Sequence, residues 1–83
     1  MHYRNGREAK NGDKIISIAS WQAPVIGTLR DAVPGNDYCN GYVQTGYEPS
    51  PNDPIACMCD CLHLDDLLAL LAEKGLDKRP EGK

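Results

Sequence analysis

A mainly β fold of four or five short strands with one C-terminal helix is predicted by three observations. Short runs rich in β-branched residues, at 14–19 and 25–32, are bounded by clusters of Gly, Pro, Asn and Asp. Pro49, Pro51 and Pro54 force a loop between a third run within 38–45 and a fourth at 55–62. One stretch alone, 64–76, carries helical periodicity with start and stop signals. The chain has 83 residues, enough for one domain, expected to span 1–76 with a flexible tail at 77–83. At this size folding buries only about 60–65% of the unfolded surface, so the core must be modest.

Taken in order, Asn5-Gly6 and Asn11-Gly12-Asp13 are turn chemistry, with residues 7–10 a short extended piece between them. The first strand, 14–19, has apolar residues at both parities, and the inward face is assigned to Ile16 and Ile18. The second alternates Val25, Gly27 and Leu29 against Ile26, Thr28 and Arg30. Gly27 inside it predicts a bulge or a close backbone approach, as in a strongly curved sheet. Residues 33–37 have the Pro-Gly order of a type II turn. Asn40-Gly41 then either bulges the third strand or forms a hairpin turn. In the fourth strand Ile55, Cys57, Cys59 and Cys61 share one face at period two.

The helix is the best-defined element, expected at 65–74. Asp65 is the predicted N-cap and Asp66 suits the positive end of the helix dipole. Leu64, Leu67, Leu68 and Leu71 form one apolar stripe, and Gly75 with Leu76 fits a Schellman stop. So short a helix must dock that stripe to be stable. The stripe is expected to join Ile16, Ile18, Val25, Leu29, Val43, Ile55, Cys57 and Cys59 in driving folding.

The segments Gly12-Asp13-x-Ile15-Ile16 and Val25-Ile26-Gly27-Thr28-Leu29 resemble the opening of small SH3-like barrels, including those with the KOW motif. The resemblance covers about residues 9–62 and extends to small bacterial and phage proteins of unknown function. It implies an SH3-like, partly open barrel of four or five short strands capped by helix 65–74. An α+β two-layer sheet is the alternative. Ser20-Trp21-Gln22-Ala23-Pro24 stands where the KOW pattern has a basic, glycine-rich loop, so no functional residue is carried over.

Net charge is −3, divided unevenly. Residues 1–30 hold five basic and two acidic side chains, and residues 31–83 hold four basic and ten acidic. Arg4, Arg7, Lys10 and Lys14 are therefore the candidate nucleic-acid contacts, but the acidic remainder disfavours phosphate binding. No run approaches the ~20 apolar residues of a membrane span, and residues 1–6 lack a signal peptide's apolar region. A cytoplasmic protein with reduced thiols is expected.

Cys57-x-Cys59-x-Cys61-x-His63, with Cys39 upstream, is the feature most like a site. On an unbroken strand same-face residues stand ~6.5–7 Å apart and do not converge as tetrahedral zinc requires. The cysteines are read as packing residues, with a metal set of Cys39, Cys61 and His63 as the alternative. Cys61, His63 and Asp65 alternate along one strand and make a poor nucleophile, base and orienter, so no enzyme is expected. No cofactor is expected either. Trp21, Tyr38, Tyr42 and Tyr47 lie at predicted loop edges, where rigid amphipathic rings serve recognition. The function expected is a non-enzymatic binding module for a protein partner rather than nucleic acid. A nucleic-acid-binding barrel and a zinc-stabilised domain are the alternatives.

Overall fold

The structure, a computed structural model, describes residues 1–34, 40–76 and 78. Its strands are β1 (Lys14–Ser17), β2 (Val25–Val33), β3 (Asn40–Gln44), β4 (Ile55–Cys57) and β5 (Cys61–His63), followed by α1 (Leu64–Glu73). Every pairing is antiparallel and the strand order is β4-β3-β2-β1-β5. The fold is mainly β, with five strands in one open sheet rather than a closed barrel, and one C-terminal helix among the described residues. No described helix is long and apolar enough to cross a membrane.

The expected fourth strand is two strands on opposite edges of the sheet. A 3-10 turn, Met58–Asp60, interrupts it and carries the chain from β4 to β5. Met58 is thereby turned fully into the interior, while Ile55 is half exposed and Ala56 faces inward. Ile55 and Cys59 are thus not core residues, and Cys57 is only half-buried. Nothing in Cys-Met-Cys-Asp forbids extended backbone; the break is imposed by which strands the two halves pair with.

The inward face of β1 is also the opposite of the one assigned. Ile15 and Ser17 are fully buried, whereas Ile18 is 38% exposed beyond the strand end. Ile15 pairs with Gly27 and with His63, and Ser17 pairs with Val25 and Cys61, so β1 is held from both sides. Those ladders fix its parity to that of Leu29 and Val43, which are buried partners across β2 and β3. Gly27 marks a close approach rather than a bulge: a Cβ there would meet the Gln44 carbonyl oxygen and lie 2.8 Å from Val43 Cγ1.

The register shift in β2 comes later, between Arg30 and Val33. Asp31 adopts φ 53° there, a left-handed conformation that Asp tolerates better than most residues. Asn11 docks on this irregularity, its amide accepting from the Ala32 N–H at 2.8 Å and donating to the Ala32 carbonyl at 3.2 Å. The N-terminal residues are part of the core. Tyr3 and Ala9 are buried in it, with the segment folded back through Tyr3 N–H to Arg7 O at 2.8 Å and Ala9 N–H to Met1 O at 2.9 Å.

The helix begins one residue early. His63 is the N-cap, its Nδ1 accepting from the Asp65 N–H at 3.0 Å, so Asp65 belongs to the first turn. Its end is the expected Schellman stop: Gly75 has φ 71°, Leu76 N–H donates to Leu71 O at 2.8 Å and Gly75 N–H to Ala72 O at 3.1 Å. The helix packs on β5 and β1, yet none of its residues is fully buried. Leu64, Leu67 and Leu71 are half-buried and Leu68 is 56% exposed, so the leucine stripe borders the core without filling it.

The two readings of β1 separate cleanly in denaturant unfolding. Ile15→Ala is expected to cost about 2–5 kcal/mol, the range for emptying a packed site, and Ile18→Ala less than half as much. Equal losses, or a larger one at Ile18, would contradict the observed face.

Candidate functional site

Lys14, Thr28 and Gln44 are register partners in one row across β1, β2 and β3, on the face away from the core. Beside that row a groove of about 420 Å³ opens, floored by Ile26 and Gly27 and walled by Thr45, Gly46, Tyr47 and Leu64. Sequence accounts for its apolar floor. Ile26 falls on the outward parity of β2 with Thr28 and Arg30, and is 56% exposed. Tyr47 is fully exposed on the segment that follows β3. Polar contacts brace the row and one wall: Lys14 Nζ donates to Thr28 Oγ1 at 2.7 Å, and Gln44 Nε2 to Gly46 O at 3.0 Å.

The aromatic residues proposed as a binding surface are not gathered into one. Tyr47 lines this groove. Tyr42 lines a separate depression with Val33 and Ile55, and Trp21 stands exposed in the turn between β1 and β2. Tyr38 lies outside the described residues. The Tyr42 ring lies under the Arg30 guanidinium at 4.5 Å. That same guanidinium donates to Asp53 Oδ2 from Nε at 3.1 Å and Nη2 at 2.9 Å, and to Ser50 O at 3.1 Å. The proline-rich loop is pinned to the sheet by this contact. The Ser50 amide and the Arg30 guanidinium together outweigh burial and hold the Asp53 carboxyl below the usual carboxylate range.

The basic residues near the N-terminus are interleaved with acids. Arg7 pairs with Asp66 at 3.0 Å, and Arg7 and Lys10 line a shallow pocket with Glu8 and Asp13. Arg4 is exposed, and its backbone N–H donates to Cys61 O at 3.0 Å, covering the outer edge of β5. Lys14 belongs to the groove row already described.

Of the alternative metal set, Cys39 lies outside the described residues. Cys61 is fully buried, with Sγ donating to Cys57 O at 3.3 Å. Burial pushes its thiol up to about 11, the nearby Ser17 hydroxyl pulling the other way. His63 spends Nδ1 on the helix cap and directs Nε2 to Asp13 Oδ1 at 3.7 Å. Among the described residues no three of His, Cys, Asp and Glu are placed to hold a metal ion.

Asp13, Tyr3 and His63 do meet. The Tyr3 hydroxyl donates to Asp13 Oδ2 at 2.6 Å, and its ring meets His63 edge-on at 6.2 Å between centroids. Burial alone would raise Asp13, but the Tyr3 hydroxyl and the Lys10 amide leave it below its ordinary value. Burial, then the bond to Asp13, pushes Tyr3 up, so it stays a donor throughout the neutral range. The cluster ties the N-terminal segment to β1 and β5.

Sequence reasoning missed two features. One is the groove, whose available signal was Ile26 standing on a polar parity. The other is the meeting of Cys57 and Cys59, which are not parallel on a strand: their sulfurs are 2.9 Å apart across the start of the 3-10 turn. The chain matches no protein-family model, no curated protein and no solved structure.

Because Asp13 and Asp53 both titrate below their ordinary values in the fold, their stabilising effect is present above the unfolded carboxylate pKa and is lost as pH falls through the folded values. Stability in urea is therefore expected to fall between about pH 5 and about pH 2, and Asp53→Asn to lower stability at neutral pH while making its acid dependence shallower. An unchanged acid dependence in the variant would contradict the assigned role of Asp53.

Proposed function

We propose that this chain is a non-enzymatic protein-interaction module that receives an apolar anchor side chain of a partner protein in the groove between β1, β2, β3 and the start of α1. The observation that carries the reading is the exposure of Ile26 and Tyr47 within one concavity. Single exposed apolar residues on a surface are ordinary, but two lining a hollow with a polar rim have the anatomy of a recognition site. Lys14, Thr28 and Gln44 supply that rim, and the Lys14–Thr28 and Gln44–Gly46 bonds reduce the ordering a partner must impose. The overall charge of −3 and the acid-paired state of Arg7 favour a protein partner over nucleic acid.

Affinity capture from cell extract tests this with three baits: the natural chain, an Ile26→Thr/Tyr47→Ala variant, and Trp21→Ala as a control outside the groove. Circular dichroism verifies that each is folded. A specific protein is expected to bind the natural chain and the control, and to bind the groove variant at least about thirtyfold more weakly, as loss of anchors worth ~2 kcal/mol implies. Retention of nucleic acid alone, or equal capture by all three baits, would refute the reading.

A further inference from the structure

We propose that Cys57 and Cys59 form a thiol–disulfide exchange site, a paired dithiol that reduces an incoming disulfide and closes into a Cys57–Cys59 disulfide. The pair stands apart from the groove, on the turn that links the two sheet edges, and does not depend on the binding reading.

Three observations carry it. First, the two sulfurs lie 2.9 Å apart, inside the ~3.5–4.0 Å at which even carbon atoms rest in contact and less than an ångström from the ~2.05 Å of a bond. Second, both cysteines are free thiols, and they differ in access: Cys59 is exposed and Cys57 half-buried. An incoming disulfide therefore reaches Cys59 first, with Cys57 already beside it. Third, Cys61 is removed from the competition, being fully buried with Sγ committed to the Cys57 carbonyl at 3.3 Å.

The step balances without any further reagent. The Cys59 thiolate attacks one sulfur of the external disulfide, forming a mixed disulfide and releasing one thiolate. Cys57 loses its proton to solvent and attacks the Cys59 sulfur, forming the internal S–S bond and releasing the second thiolate. Two electrons pass from the cysteine pair to the external disulfide, which leaves as two thiols. The S–H···S bond to Cys57 pushes Cys59 up to about 11, with burial and Asp60 adding to it, so exchange is slow at neutral pH and quickens in alkali. A ring closed over one intervening residue is also readily reopened, as exposed and strained disulfides are.

The test incubates the reduced full chain, without oxygen, with excess glutathione disulfide at mildly alkaline pH. Free thiols are then alkylated and the cysteines mapped by mass spectrometry. The natural chain is expected to lose two hydrogens, with Cys57 and Cys59 joined to each other and reopened by reduced glutathione. Cys57→Ser is expected to stop at a glutathione adduct on Cys59, and Cys59→Ser to form no internal disulfide. The proposal is overturned if Cys57 and Cys59 of the natural chain are alkylated as fully as before treatment. It is equally overturned if they accumulate glutathione without closing, or join Cys39, Cys61 or a second chain. The mapping of the natural chain decides the matter even if a variant fails to fold.

Discussion

The 3-10 turn between β4 and β5 is the constraint on which the rest of the molecule depends. Those two strands are the outer members of a five-stranded sheet, yet only Met58, Cys59 and Asp60 separate them in the chain. In a flat sheet four inter-strand spacings would hold the edges ~19 Å apart. The four backbone steps from Cys57 to Cys61 reach at most ~14 Å even when fully extended. The sheet must therefore curl until its edges nearly meet, and the concave side becomes an interior. Met58 is pulled into that interior by the turn itself, beside Ile15, Leu29 and Val43. The close approach over Gly27 and the irregularity of β2 near Asp31 are what a nine-residue strand needs to follow such a curve.

The same curl shapes the outside. A convex face cannot pack against a second layer of the same chain along its whole width, and α1 packs chiefly on the β1 and β5 side. Ile26, Tyr47 and the helix residues Leu68 and Leu70 are left in solvent. The edges themselves are protected. They are only three residues long, the Arg4 N–H covers Cys61 O, and Gln22 Nε2 reaches Ile55 O at 3.5 Å. Exposed apolar surface thus lies on the outward face and the helix, while backbone at the sheet edges is partly covered. The turn that forces the curl also brings Cys57 and Cys59 together, which an unbroken strand would have held apart.

What could be read from the residues follows the range of the forces involved. The helix stop at Gly75 and Leu76 was legible because a Schellman motif is local chemistry within six residues. The mainly β character and the proline-rich loop were legible for the same reason. The N-cap was misplaced by two positions because His63, an uncommon cap, supplies Nδ1 where Asp65 has the commoner chemistry. The face of β1 was not legible: Ile15, Ile16 and Ile18 satisfy either parity, and pairing with β2 and β5 decides between them. The division of 55–62 was hidden for a related reason. Its residues all tolerate extended backbone, and only the need to pair both β3 and β1 breaks the run. Of the groove residues, Tyr47 stood out in the sequence as an aromatic at a loop edge, while Ile26 and the cysteine contact depend on that long-range geometry.

If Met58 holds the two edges to a common interior, emptying its site must loosen both edges together. Native-state hydrogen exchange on Met58→Ala reads this directly, through the Val43 N–H bonded to Pro54 O on the β4 side and the Ile18 N–H bonded to Asp60 O on the β5 side. The curled-sheet account predicts that protection falls at both amides by a similar factor. Loss at Ile18 alone, with Val43 protected as in the natural chain, would contradict it.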